Sequence, residues 1–218
     1  NNQVGGLEPW ERNVISANAT VGIHLTQHDT HSNRIIGNYV GSDASGQVDL
    51  GNSVAGIALD LGTYDNLIQN NLVVGNGTYG VMINDSFNIL WGNYVGVNAE
   101  GSAPIPNPTA SVFFGGGTFN LLGGPSAWQG NLISGHATSL SLYGPCVSCI
   151  ILGNRFGTDA SGMVALGNQN GGVMTGYRTF FGGATPAEGN IVSGNSWPNG
   201  SAGIGLGGSY DVIMGNWI

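Results

Sequence analysis

The chain has 218 residues, with twelve acidic residues against four arginines and no lysine, a formal charge of −8, 7% charged residues and 40 glycines. That balance excludes a nucleic-acid binder, because phosphate is held by Lys and Arg, and a 41% hydrophobic composition excludes a disordered linker. Helices are excluded as well, since Glu, Lys and Arg are scarce and Gly or Asn recurs every few residues, leaving short strands and turns.

The first residues predict a strand beginning at Asn2, a corner at Gly5-Gly6, a second strand at Asn13-Val14-Ile15-Ser16 and a third through Ile23. The same events then return. Asn33 opens the next pass, Gly37-Asn38-Tyr39-Val40-Gly41 carries its second strand, a loop fills residues 41–52, and Ile57 lies on its third strand. Further passes open at Asn66, Asn88, Asn120, Cys149, Thr179 and Asp211. The Asn-hydrophobic-hydrophobic motif at residues 13, 71, 131 and 190 recurs at a period near 60. A second family at Asn38, Asn93, Asn154 and Asn216 falls between, so the period holds two turns of about 30 residues.

Laid in register, the passes stack like on like. One column reads Val4, Ile35, Ile68, Leu90, Leu122, Ile151, Phe181, Ile213; a second reads Ile15, Val40, Val73, Val95, Ile133, Phe156, Val192, Ile218. A third reads Ile23, Ile57, Val81, Val112, Leu140, Val173, Ile204. A four-residue strand cannot bury its apolar side alone, but stacking about 4.8 Å apart makes three parallel sheets around one core. Asn repeated at the opening corner predicts an amide ladder there. An antiparallel sandwich would not align like residues. The expectation is one all-β domain over residues 1–218, a parallel β-helix of about seven complete turns and a partial eighth.

Residues 157–168, Gly-Thr-Asp-Ala-Ser-Gly-Met-Val-Ala-Leu-Gly-Asn, preceded by Gly-Asn-Arg-Phe, resemble a recurring segment of large bacterial surface and secreted proteins. Over essentially the whole chain the pattern is similar to the right-handed parallel β-helix superfamily, in particular the pectate-lyase-like bacterial extracellular parallel β-helix repeat proteins. The resemblance implies a right-handed solenoid in an extracellular setting. It leaves function open, because that superfamily contains lyases, hydrolases, epimerases, phage fibres and adhesins.

Chemistry has few footholds. The loops 41–52, 96–107 and 157–168 place Asp43, Asn98 and Asp159 alike. Calcium is the candidate ligand, but two-turn spacing puts these loops about 10 Å apart, and each alone has too few carboxylates, so backbone-capping Asx turns are the ordinary reading and no cofactor is expected. The densest polar cluster is His24, His28, Asp29 and His31 with Asp60, Asn84 and Asp85. If the chain is an enzyme, His24, Asp60 and Asp85 are its catalytic candidates, as a polysaccharide lyase or glycoside hydrolase. Outward aromatics are the other surface: Tyr39, Tyr94 and Trp217 share one outward position, and Trp10 and Trp128 match each other in loops, as rings that stack on sugars or simply shield the sheet.

Cys146 and Cys149 are the only cysteines, free or joined locally, and no second CxxC or nearby His makes a zinc site. No apolar run is long enough for a membrane span, and no signal-like segment is present. Uncapped ends predict flanking β-helix turns or end-to-end self-association. The expectation is a non-catalytic structural or adhesive element of a bacterial surface or secreted protein, with polysaccharide as its partner. The alternative is a carbohydrate-active enzyme.

Overall fold

The computed structural model describes residues 1–136, 146–168, 172–195 and 203–218. Its named strands all pair in parallel. Gln3–Gly5, Arg34–Ile36, Leu67–Gln69, Ile89–Trp91, Leu121–Gly123, Ile150–Leu152, Phe180–Gly182 and Val212–Met214 follow one another across an eight-stranded sheet. A seven-stranded sheet contains Val14–Ile15, Tyr39–Val40, Leu72–Val73, Tyr94–Val95, Leu132–Ile133, Arg155–Phe156 and Ile191–Val192. The third face has a four-stranded sheet, Val21–Leu25, Ala55–Leu59, Tyr79–Ile83 and Ala110–Phe114, and a two-stranded one, Val173–Thr175 with Ile204–Leu206. Leu140, expected between them, lies outside the described residues. One strand of the first sheet with the strands that follow it is called a rung below, numbered from Asn2. The arrangement is compatible with a β-helix.

The apolar columns form as the alternation requires. Ile35 pairs with Val4 and Ile68, and the chain of partners continues through Leu90, Leu122, Ile151 and Phe181 to Ile213. Val40 and Ile57 head similar series on the other faces. Ile35, Val40, Ile57 and Ile68 have no exposed surface and belong to one continuous core. Each contributes about 2 kcal/mol by leaving water. Corners fit the chain's glycines: Gly37 sits at φ +67, where a Cβ would strike the backbone oxygen of Gly6.

Asparagine stacks at three corners rather than the single one expected. The first runs Asn2, Asn33, Asn66, Asn88, Asn120. The second is unbroken from Asn13 through Asn38, Asn71, Asn93, Asn131, Asn154 and Asn190 to Asn216. The third joins Asn18, Asn52, Asn76 and Asn107, admits His136, and resumes at Asn168 and Asn195. The rule is the same throughout: Asn93 Oδ1 accepts from both the backbone N–H and the side-chain amide of Asn71 at 3.0 Å, and Asn93 Nδ2 donates to Ile68 O at 2.9 Å. A buried amide is thereby fully satisfied, and each rung is registered to the next. Where the first stack leaves asparagine, Cys146 and Cys149 form a buried disulfide, and Asn120 Nδ2 lies 3.7 Å from Cys146 Sγ.

The loops 41–52, 96–107 and 157–168 correct the spacing estimate: they touch. Each closes as a small antiparallel ribbon, bridged Ser42 to Asp49, Val97 to Pro104 and Thr158 to Ala165. A ribbon about 4.8 Å wide covers one of the two intervening spacings, leaving a gap that one hydrogen bond closes. Ala99 N–H donates to Gly46 O at 3.1 Å and Ala160 N–H to Gly101 O at 2.9 Å, and Asn98 Nδ2 reaches Gln47 Oε1 at 2.9 Å. Inside the first ribbon Asp43 accepts the Ser45 hydroxyl and the Gln47 and Val48 N–H groups. The Ser45 hydroxyl first, and then the Val48 N–H, hold its carboxyl at about 2. Asp159 is lowered likewise, chiefly by Ser161. These carboxylates serve as the Asx caps of their own turns. Among the described residues no group of three or more His, Cys, Asp or Glu could hold a metal ion.

Candidate functional site

The second sheet's outer face is the floor of a trough. Its outward column runs Val14, Tyr39, Leu72, Tyr94, Leu132, Arg155, Ile191, Trp217. The stacked ribbons make one wall. The other is built from the corner loops that precede Asn13, Asn131 and Asn190, which are capped alike: Glu8 N–H donates to Glu11 Oε2, Ser126 N–H to Gln129 Oε1 and Thr185 N–H to Glu188 Oε2. These caps hold Trp10 and Trp128 outward, 81% and 56% exposed.

On rungs 2 to 4 the matching corners are short, passing through Gly37, Asn70 and Gly92 at positive φ in the first two and the third alike. The gap so left is a cleft of about 240 Å³ lined by Arg12, Tyr39, Asn70, Leu72, Tyr94 and Ala99 among others. Arg12 lies over the Tyr39 ring, 4.0 Å from its centroid, and its Nε donates to Gly37 O at 3.2 Å. Tyr39 and Tyr94 are half-buried and pack against a small apolar cluster of Leu72, Val74 and Ile105. One face of Tyr39 is therefore taken by the guanidinium, and the rings free to stack on a ligand are Trp10, Trp128 and Trp217, the last 70% exposed. Trp217 borders a second notch with Arg155 and Pro186. The cleft offers a guanidinium, an amide and phenol groups beside flat exposed rings, a mixture suited to hydroxyl-rich ligands.

The polar cluster on the third face divides. His24 Nε2 lies 3.0 Å from Asp60 Oδ1, an ion pair whenever the imidazole is protonated, with side chains 41% and 21% exposed. Asp85 is engaged elsewhere. Its carboxylate accepts the Thr63 N–H at 2.9 Å, the Thr63 hydroxyl at 3.1 Å and the Gly62 N–H at 3.2 Å. Along the sheet the partners outward of His24 are Ala58, Met82 and Phe113, so the column continues with apolar side chains. His31 stacks on Tyr64 with centroids 4.8 Å apart.

Sequence reasoning passed over Trp91, Arg12 and Asn70. Trp91 meets Trp128 edge-on at 5.5 Å and donates its Nε1–H to Gly123 O at 3.1 Å, bracing that rim. Its place in the column of Gly-Asn corners was the available signal. Compared with family models, curated proteins and solved structures, the chain matches none.

Proposed function

We propose that the chain is a right-handed parallel β-helix solenoid of about seven turns and a partial eighth, serving as a rigid, non-catalytic element of a bacterial surface or secreted protein and meeting polysaccharide along the second-sheet trough. The observation that carries this reading is the pair of exposed tryptophans, Trp10 and Trp128, held by like caps at the rim of a cleft that supplies Arg12 and Asn70. The Cys146–Cys149 disulfide supports an oxidising compartment. The test is affinity electrophoresis through a panel of polysaccharides. At least one should retard the protein, and Trp10→Ala with Trp128→Ala should abolish the retardation; free migration through every gel refutes the proposal.

The second reading, a polysaccharide lyase or glycoside hydrolase, is favoured by the 3.0 Å pairing of His24 with Asp60. Incubation with the same panel, with and without calcium, while following unsaturated products and reducing ends, separates the two. Product that disappears in His24→Ala decides for the enzyme.

A further inference from the structure

The first sheet's outer face is unusually apolar for a solvent-facing surface. Its outward column reads Gln3, Arg34, Leu67, Ile89, Leu121, Ile150, Phe180, Val212 in hydrogen-bonded order. Phe180 is 50% exposed and Ile150 39%, and at the rim Phe87 and Phe119 are 49% and 56% exposed and stacked on each other. These two phenylalanines occupy left-handed backbone, φ +61 and +56, in a column that also holds Ser32, Asp65, Ser148, Arg178 and Tyr210. A bulky side chain there costs about 1 kcal/mol against glycine, and an exposed one recovers nothing from water.

We infer that this face docks face to face on the same face of a second copy, the two stacks running antiparallel about a twofold axis at Leu121. The order of residues argues for that occupant. The axis sets rung 3 against rung 7 and rung 2 against rung 8, so Leu67 meets Phe180, Ile89 meets Ile150 and Phe119 meets its own counterpart. It also sets exposed Asp65 against exposed Arg178. The twofold repeats that pair, so Asp65 meets Arg178 twice across the interface. Stacks running parallel, about a twofold along the column through Leu121, would reverse the strands and set Asp65 opposite Gln69 and Arg178 opposite Gly182, leaving both charges without a counter-charge. Rungs 2 to 8 overlap over about 30 Å at about 4.8 Å per rung, and each strand with its rim residue spans about 15 Å at about 3.3 Å per residue, roughly 450 Å² per copy, the scale of a weak, reversible contact.

Sedimentation equilibrium of the intact protein from low to high micromolar concentration tests this. A monomer–dimer equilibrium is expected. Leu121→Glu, at the axis, should leave monomer throughout while keeping the wild-type thermal transition. Asp65→Arg and Arg178→Asp should each weaken the dimer about tenfold, and their combination should restore it; that column already accepts Asp and Arg at φ +53 and +54. The inference is overturned by monomer at every concentration, by a dimer that Leu121→Glu leaves intact, as end-to-end association would, or by a double swap weaker than either single one.

Discussion

His136 stands where the third amide stack calls for asparagine, and acid should find it. Its Nδ1 accepts the Asn107 N–H at 3.3 Å and its Nε2 lies 3.1 Å from Val95 O, which assigns the neutral tautomer with the proton on Nε2. Burial pushes the imidazole down to about 4 from 6.5. Above pH 6.5 neither the folded nor the unfolded chain holds the extra proton, and the stack keeps its full stability. As pH falls from 6.5 to 4 the unfolded chain alone takes it up, so stability drops through that window and levels below it. At 1.36 kcal/mol per unit the loss approaches roughly 3 kcal/mol. His136→Asn supplies an amide that continues the ladder and cannot titrate. Urea unfolding of both proteins at pH 7, 6, 5 and 4 is the assay. The difference between them should change by about 3 kcal/mol, with carboxylates common to both cancelling. A difference that stays constant across the series refutes the reasoning.

Asn93→Ala should cost about 3 kcal/mol or more, because it strands the buried amide and N–H of Asn71, whereas Asn2→Ala at the exposed start of a stack should cost under about 1 kcal/mol; urea midpoints compare them. Ser111 stands in a column with Gly22, Gly56 and Gly80, and its hydroxyl is buried without a partner among the described residues. Ser111→Ala keeps the Cβ and removes the orphan oxygen, so the thermal midpoint should rise, by an amount equivalent to about 1 kcal/mol.

The three apolar columns were legible because a stack permits only like shapes at like positions, and Ile35 on Ile68 follows from alternation alone. The second and third amide stacks were half legible. Gly-Asn at residues 51–52, 75–76, 167–168 and 194–195 is a repeated corner, Ala17-Asn18 and Pro106-Asn107 vary its first residue, and Gly135-His136 is the member that replaces the asparagine, visible once those pairs are aligned. The contact between ribbons was not legible, since it depends on how far each loop folds over Tyr39, Leu72 and Tyr94 rather than on any local pattern. Asp85 shows the other limit. Its spacing from His24 and Asp60 suggested convergence, but the N–H groups of Gly62 and Thr63 compete for the carboxylate, and composition carries no trace of that competition.

The ribbon-to-ribbon hydrogen bonds skip a level each time. Insertion or loss of a single level would leave one ribbon facing a bare strand and another without its carbonyl acceptor, while a change of two levels preserves every bond. Such a chain can be lengthened or trimmed only in doublets, which gives the near-60-residue period a mechanical origin: it is the smallest cassette that can be duplicated without tearing the lateral seam.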